Sequence, residues 1–449
     1  MTTFSHPYLP LTPEQRQEML QAIGVSSAEE LFADIPPAYR NPPLNLPPPL
    51  AEMDLRRELE ALANENITPG PYACFLGAGA YRRFIPAVVR ALASRGEFLT
   101  SYTPYQPEVS QGTLQATYEF QSMVCLLTGM DVANAGVYDG ASALAEAALM
   151  ACRVTGRTHI ALLNTLNPRY REVVETYTLP QGLTLSTTTA SAPRVDGQTA
   201  CLIVQWPNFF GYIEDLQALA QAAHSQGALL VVSADPLACA LFKPPGHYGA
   251  DIVTGECQGL GVPLSYGGPY VGLFACRERY LRQMPGRVVG KTVDAQGRTG
   301  YVLTLQTREQ HIRREKATSN ICTSEALIAT WVAIYLASLG KRGLRKVAEL
   351  VWQKAHYAAR LLAAIPGFHL PMQGVFFQEF VLQCPMAPGE INRRLLRRRI
   401  IGGLDISAHI PNGMLVCVTE MNTRQEIDAL AHALAEVAQQ APTRHSQPI

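Results

Sequence analysis

The sequence has no long apolar run and no recognisable secretion signal. Although 47% of its residues are hydrophobic, no stretch of about 18 consecutive apolar residues occurs, so no membrane-spanning helix is predicted. The first residues, MTTFSHPYLPLTPEQ, lack the basic and apolar segments of a signal peptide. We therefore expect a cytoplasmic protein with no membrane partner.

Net charge and paired cysteines are also missing. Lys and Arg number 37, and Asp and Glu number 37, so a nucleic-acid partner has no overall electrostatic support. The ten cysteines are scattered singly, without a CxxC pair, and neither a metal site nor a disulfide framework is predicted. Most of them are expected to be small core residues of a reducing compartment.

The 449 residues are sufficient for more than one domain. Residues 1–70 combine helix signals with a proline-rich stretch and predict an N-terminal arm. Residues 71–325 alternate strand-like and helical segments, which predicts a large α/β domain with a mostly parallel sheet. Residues 326–449 predict a linking helix and a small α+β domain. An amphipathic helix is predicted over 111–130, with the candidate core residues Leu114, Tyr118, Met123, Leu126 and Leu127.

The stretch from 202 to 270 is the most informative part of the chain. Two strand-like runs, Leu202–Gln205 and Ala228–Ser233, flank a predicted helix over 213–224, and Asp235 follows the second run. A third run, Asp251–Val253, leads into a glycine-rich loop that contains GGP. In parallel α/β sheets, ligands lie at the carboxyl ends of the strands. This order of strands, acid and glycine loop is typical of the large domain of a pyridoxal-phosphate enzyme.

One residue that such an enzyme requires is absent. Pyridoxal-phosphate catalysis needs a phosphate cradle, an acid beside the pyridine nitrogen and a lysine that forms the Schiff base. The segment 139–142 (DGAS) opens a helix and is a candidate cradle, although an ordinary helix cap by Asp139 or Ser142 is the commoner explanation of such a pattern. Asp235 is the candidate acid, but the expected lysine position holds Gln258. Because glutamine cannot form an imine, Ser142, Asp235 and Gln258 predict a degenerate cofactor site.

A loop with two tyrosines and two prolines is a second candidate for function. Residues 101–108 read SYTPYQPE, and the prolines fix the backbone, so little entropy is lost when the polar side chains bind a ligand. The alternative is a surface turn whose tyrosines pack on a neighbour. The side chains that this loop presents are Tyr102, Thr103, Tyr105 and Gln106.

Five long motifs, in order along the chain, resemble the P-protein family, the glycine decarboxylases of the glycine cleavage system. They are AIGVSSAEELFADIP, SYTPYQPEVSQG, KPPGHYGADIV, GVPLSYGGPY and HIRREKATSNICT. The resemblance covers nearly the whole chain. In its length and in the part of the family that it matches, the chain is similar to the separate alpha subunits of the two-subunit bacterial form. It implies a PLP-dependent transferase fold of type I.

The resemblance also implies how the work is divided. A sister beta subunit would bind pyridoxal phosphate covalently through its lysine, in an alpha2–beta2 assembly. With the proline and glycines of that subunit's loop aligned on Pro263 and Gly267-Gly268, Gln258 takes the place of the lysine and Cys257 that of the preceding histidine. Glycine would lose carbon dioxide there, and the aminomethyl group would pass to the lipoyl arm of the H-protein.

Active sites of this fold type lie at the dimer interface, so the resemblance implies that loops of this chain complete the partner's site. Tyr102, Thr103, Tyr105 and Gln106 are the candidates for the substrate pocket or the lipoyl tunnel. Thr318, Ser319 and Asn320 are expected to reach the partner's cofactor phosphate, with Lys316 nearby. Two alternatives stay open: a purely structural subunit, and a self-sufficient enzyme that uses Lys291 or Lys316.

Overall fold

The computed structural model describes residue 8 and residues 10–40, 42–321 and 324–439. Cys322 and the ends of the predicted arm and C-terminal domain lie outside the described residues. The chain divides into two compact units, Met1–Ile67 and Thr68–Ile449.

The first unit contains two helices, α1 (Pro13–Ile23) and α2 (Glu52–Ala63). Helix α1 begins with a capping box, because the side chains of Thr12 and Gln15 each accept a hydrogen bond from the other residue's N–H group. It ends at Gly24, whose φ of 89° is favourable only for glycine. No described residue of either helix is buried.

The second unit contains the remaining helices and all the strands of the described residues. The helices are α3 (Ala87–Ala93), α4 (Gly96–Leu99), α5 (Gln111–Thr128), α6 (Gly140–Thr155), α7 (Pro168–Thr178), α8 (Leu216–Ser225), α9 (Gln310–Arg313), α10 (Ala326–Ala363), α11 (Pro388–Leu396) and α12 (Arg424–Gln439). The strands are β1 (Ala73–Cys74), β2 (Val132–Ala133), β3 (His159–Leu163), β4 (Thr184–Thr188), β5 (Thr199–Trp206), β6 (Leu229–Ala234), β7 (Ile252–Glu256), β8 (Gly272–Cys276), β9 (Val288–Val293), β10 (Thr299–Thr304), β11 (Glu379–Gln383), β12 (Ile400–Ile401), β13 (Leu404–Asp405) and β14 (Gly413–Cys417).

A seven-stranded sheet with the order β2-β8-β7-β6-β5-β3-β4 forms the centre of this unit. Strand β8 is antiparallel to both of its neighbours, and the other neighbouring pairs are parallel. The predicted α/β class with a mostly parallel sheet is therefore confirmed. Strands β5, β6 and β7 end side by side, so Asp235 and the residues after Glu256 lie at the same edge of the sheet.

Both faces of the sheet are covered, as the nearly continuous apolar runs require. Alternate residues of β5 point to opposite faces: Leu202 and Val204 belong to one core cluster, and Cys201 and Ile203 belong to another. Helix α6 packs on the second face with an almost fully buried, alanine-rich surface.

The C-terminal part has its own three-stranded sheet, β11-β14-β13, and its own core. Helix α10 runs for 38 residues into this part and is interrupted at Gly340, where φ is 61°. A hairpin of β9 and β10 precedes it. The domain boundary at 325/326 remains a prediction.

Within residues 8–439, apart from the gaps given above, no helix is both long and apolar enough to cross the hydrocarbon core of a membrane. The nine cysteines in this part of the chain are free thiols.

Candidate functional site

A cavity of about 50 Å³ lies at the carboxyl ends of β5, β6 and β7. Its polar lining includes Tyr81, Arg83, Asn208, Asp235, Glu256 and Glu379. Of the three residues predicted for the degenerate cofactor site, only Asp235 lines this cavity. Gln258 is buried and does not line the cavity, and Ser142 belongs to the start of α6.

Asp235 follows β6, as predicted, and both of its carboxylate oxygens have protein partners. Oδ1 accepts hydrogen bonds from the N–H groups of Leu237 at 2.8 Å and Ala238 at 3.2 Å. Oδ2 accepts one from Nε2 of Gln378 at 2.7 Å. Burial raises the pKa of Asp235, and the positive charge of Arg83 opposes that shift.

The Gln258 side chain is 1% exposed and makes hydrogen bonds through both ends of its amide. Oε1 accepts from the N–H group of Tyr81 at 2.8 Å, while Nε2 donates to the carbonyl oxygens of Tyr81 at 3.0 Å and Val262 at 2.9 Å. The amide thus joins the loop around Tyr81 to the turn that follows β7. A position that needs a donor and an acceptor at once suits glutamine and does not suit lysine.

The carboxyl group of Glu256 lies at the N-terminus of α6. Asp139 and Ser142 form a capping box, so the helix-cap alternative for this segment is correct. The N–H group of Gly140 donates to Oε2 of Glu256 at 2.9 Å, and the N–H group of Gln258 donates to Oε1 of the same residue at 2.9 Å. A Cβ atom on Gly140 would lie 2.7 Å from the Tyr170 hydroxyl and 2.9 Å from Glu256. Two N–H groups at the start of α6, those of Gly140 and Ser142, are therefore bound to side chains of the chain itself.

Glu379 fixes the loop before Tyr81 to strand β11. Its side chain is buried and accepts hydrogen bonds from the N–H group of Ala78 at 2.6 Å and from the Tyr81 hydroxyl at 2.8 Å. A Cβ atom on Gly77 would lie 2.4 Å from Oε1 of Glu379, so only glycine fits there. Burial raises the pKa of Glu379 to about 7.

These residues do not fit a covalently bound pyridoxal phosphate. The amine that an imine requires is replaced by the fully bonded amide of Gln258, and Glu256 holds the N–H group of Gly140. Among the described residues, no lysine lines the cavity. The two lysines of the self-sufficient alternative are exposed: Lys291 lies in β9, and Lys316 lies in the short 3-10 helix Arg314–Lys316.

We expect the stability of the chain to fall as pH rises from 5.5 to 8.5. Burial raises the pKa of Glu256 to about 8 and that of Glu379 to about 7, from an ordinary value of 4.5. The folded chain therefore keeps protons that the unfolded chain releases, and each group lowers the free energy of unfolding by up to about 1.4 kcal/mol per pH unit between its two pKa values. Denaturant unfolding of the native chain and of Glu256→Gln measures this, and the variant should give the shallower slope.

Glu390→Gln is the matched control for that measurement. The pKa of Glu390 is lowered by its hydrogen bond with Arg394, so this carboxylate stays ionised throughout the pH range. Its variant should reproduce the native slope, and equal slopes for all three proteins would contradict the raised pKa of Glu256.

The residues predicted to face a partner lie on two loops of the second unit. The tyrosine loop, residues 102–106, borders a cavity of about 190 Å³ that Tyr102 and Thr103 line together with Arg287. The Tyr105 hydroxyl accepts a hydrogen bond from Nη2 of Arg287 at 3.0 Å, and the guanidinium carbon lies 5.5 Å from the centre of the Tyr105 ring. Tyr105 therefore contacts this buried cation directly, and Tyr102 and Thr103 line the same cavity as the cation.

The threonine-serine loop, residues 316–320, borders a smaller pocket of about 10 Å³ beside Glu309. Thr318 and Ser319 line this pocket. The Ser319 hydroxyl accepts a hydrogen bond from the N–H group of Ile321 at 3.1 Å. Burial raises the pKa of Glu146, and the proximity of Ser319 opposes that shift. The remaining predicted residues are exposed: Gln106, Lys316 and Asn320.

The sequence patterns did not reveal four residues of these sites. Glu256 carried a weak signal, since an acidic residue at the end of a buried strand is unusual. No local sequence pattern indicates the other three residues, because their partners are distant in sequence. These residues are Arg83, Arg287 and Glu379.

Known proteins resemble this chain along almost its whole length. A family profile described as the glycine cleavage system P-protein matches residues 6–434. The Desulforamulus reducens protein named "Probable glycine dehydrogenase (decarboxylating) subunit 1" is 52% identical over 444 residues, which cover 96% of this chain and 100% of that protein.

Solved structures agree with this relationship. The crystal structure of a glycine decarboxylase (P-protein) of the glycine cleavage system in inhibitor-bound form has a TM-score of 0.91 and 45% identity, covering 96% of this chain and 100% of that one. A C-DES mutant with glycine covalently linked to its PLP cofactor has a TM-score of 0.58 and 15% identity, covering 85% and 99% of the two chains, and shares the fold. The predicted type I fold is confirmed by these neighbours, and the chain belongs to the glycine cleavage system P-protein family.

Proposed function

We propose that this chain is the subunit of a glycine-cleaving P-protein that lacks the cofactor lysine and completes a sister subunit's active site. Membership of the family makes it part of glycine dehydrogenase (decarboxylating), an oxidoreductase. The observation that carries the proposal is the buried amide of Gln258, which is fully hydrogen-bonded at the expected lysine position. The name "subunit 1" of its relative supports the existence of a second subunit.

The whole enzyme would release carbon dioxide from glycine and transfer the aminomethyl group to the lipoyl group of an H-protein. We assign pyridoxal phosphate to the partner subunit, where a lysine would hold it. We further assign an alpha2–beta2 assembly and a cytoplasmic location, to which the nine free cysteines lend support.

The contribution of this chain would come from its two polar loops. Arg287 holds the Tyr105 phenol in place through a hydrogen bond and a ring contact. Thr318 and Ser319 lie beside the buried Glu309 and offer hydroxyl groups on a loop that also carries the exposed Lys316. Hydroxyl and ammonium donors of this kind suit an anionic group on the partner.

The test is the turnover of the reconstituted two-subunit enzyme with Tyr105→Phe or Thr318→Ala in this chain. Each variant removes one hydroxyl, and we expect a loss of about tenfold in kcat/KM, which corresponds to about 1.4 kcal/mol. Dissociation of pyridoxal phosphate from the complex should also become faster in Thr318→Ala. Decarboxylation should require both subunits.

Tyr248→Phe provides the control, because the Tyr248 ring packs beside Lys243 and belongs to neither loop. It should leave turnover and cofactor affinity unchanged. If both loop variants behave like this control in an assembled complex, the chain has only a structural role.

A further inference from the structure

The two loops that face the proposed partner are joined inside this chain by a buried ion pair. Arg287 and Glu309 are 7% and 9% exposed, and their Nε and Oε2 atoms lie 3.4 Å apart. Because both charges lose their hydration when they are buried, such an ion pair contributes little net stability.

Arg287 connects the pair to the tyrosine loop. Its guanidinium donates to the Tyr105 hydroxyl, stacks near the Tyr105 ring and lines the cavity beside Tyr102. The backbone of Arg287 is fixed as well, because its carbonyl oxygen accepts a hydrogen bond from the N–H group of Ala135 at 2.8 Å. Arg287 therefore links the tyrosine loop to the backbone at Ala135, next to the central sheet.

Glu309 connects the pair to the threonine-serine loop. Glu309 lines the small pocket together with Thr318 and Ser319. Oε2 also lies 3.7 Å from Nδ1 of His311, whose ring meets the Tyr105 ring edge-on at a centroid distance of 5.7 Å. Oε1 is buried and has no hydrogen-bond partner among the described residues. A pocket of about 10 Å³ is close to the volume that one water molecule needs to bridge such an oxygen to a hydroxyl.

The neighbouring residue Arg308 ties the same segments together a second time. Its guanidinium donates to the carbonyl oxygens of Met284 and Gly286, just before Arg287 in the chain. Its own carbonyl oxygen accepts a hydrogen bond from the N–H group of Thr318 at 3.0 Å. Both loops are therefore fastened to the segment 284–287, which leads into β9.

We propose that Arg287 and Glu309 are positioning residues that hold the tyrosine loop and the threonine-serine loop in one fixed arrangement, so that both reach the partner's site together. This inference rests on the proposed function of the two loops. It predicts that the loops act as a unit, and that loss of the ion pair removes the benefit of each loop side chain without preventing subunit assembly.

A double-mutant cycle in the reconstituted two-subunit enzyme tests this. Arg287→Met should lower kcat/KM by about tenfold or more, because even a small displacement of binding groups strongly lowers the reaction rate. Tyr105→Phe should then have less than about a twofold additional effect, whereas it lowers kcat/KM about tenfold in the native background. A merely destabilised subunit would lower the amount of active complex at unchanged KM, whereas displaced loops should raise KM and weaken cofactor binding.

Two further variants keep the test decisive. Glu309→Gln preserves the shape of the side chain and should show the same coupling to Tyr105→Phe, even if Arg287→Met folds poorly. Arg277→Met is the control: its guanidinium binds the carbonyl oxygens of Ala250 and Gly246 and neither loop, so Tyr105→Phe should keep its full effect in that background.

The outcomes separate this inference from the function on which it rests. If Tyr105→Phe and Thr318→Ala alone leave turnover unchanged, the proposed role of the loops is wrong. The second outcome is that both loop variants lower turnover, and that their fold-losses in kcat/KM multiply with those of Arg287→Met and Glu309→Gln. The loops then contribute to the partner's site, but the ion pair does not position them.

Discussion

A Gln258→Lys variant should unfold more readily than the native chain and should form no imine with pyridoxal phosphate. The native amide accepts a hydrogen bond from Tyr81 and donates to Tyr81 and Val262, whereas an ammonium group can only donate. The N–H group of Tyr81 would lose its acceptor, and a charge would enter a site that is 1% exposed. The expected loss is about 3–5 kcal/mol of unfolding free energy.

The absence of an imine has a second cause that lies beyond the lysine position. Glu256 accepts the hydrogen bond of the Gly140 N–H group at the start of α6, so a carboxyl group of the chain itself competes with a phosphate for that N–H group. Addition of a lysine restores one of the features that pyridoxal-phosphate binding needs and leaves the Gly140 N–H group bound to Glu256.

Thermal unfolding of the variant measures the loss of stability. The absorbance of the variant mixed with pyridoxal phosphate and borohydride measures whether an imine forms. Gln217→Lys places the same substitution on the exposed surface of α8 and should leave stability within about 0.5 kcal/mol of the native value. A reduced pyridoxyl adduct confined to the lysine introduced at position 258 would contradict our account of the site.

The parts of the fold that depend on local pattern could be predicted from the sequence. The alternation of apolar runs predicts the parallel sheet, and the run before Asp235 predicts its position at a strand end. Element boundaries differ from the prediction: the predicted helix over 213–224 begins at Leu216, because the carboxylate of Asp215 caps the N–H groups of Gln217 and Ala218.

Burial of individual helix residues was predicted only in part. Of the candidate core residues of α5, Leu114 is buried, but Leu126 is 81% exposed. The buried face instead includes Phe120 and Val124. The apolar residues of α5 cover a broad stripe of the helix surface. The helical spacing alone therefore does not show which residues at the edges of this stripe are buried.

The polar interior of the site was beyond local pattern. The hydrogen bond between Ala78 and Glu379 joins residues 301 positions apart, and Gln258 meets Tyr81 across 177 positions. Such contacts depend on how the sheet, the loop around Tyr81 and the C-terminal part come together. The substitution at position 258 was visible in the sequence, but its physical role in the interior was not.

Arg83→Met should destabilise this interior about as strongly as Gln258→Lys. The side chain of Arg83 is almost fully buried, and its Nη1 atom lies 2.9 Å from Oε2 of Glu420. Its other terminal nitrogen, Nη2, donates to Oε1 of Gln378. Nε2 of the same glutamine donates to Oδ2 of Asp235. Methionine keeps much of the packing volume but leaves the carboxylate of Glu420 buried without its cation, for which we expect a loss of about 3–5 kcal/mol.

Urea unfolding at constant pH measures this loss against a surface ion pair. Arg345 and Glu349 lie 2.8 Å apart on α10 with side chains that are 61% and 43% exposed, and Arg345→Met should change stability by less than about 1 kcal/mol. Addition of Glu420→Gln to Arg83→Met should destabilise the chain by less than the sum of the two single changes, because the unpaired charge is then removed. Equal losses for Arg83→Met and Arg345→Met would mean that solvent reaches Glu420 and that the interior between the Tyr81 loop and the C-terminal part is far less tightly closed than its geometry implies.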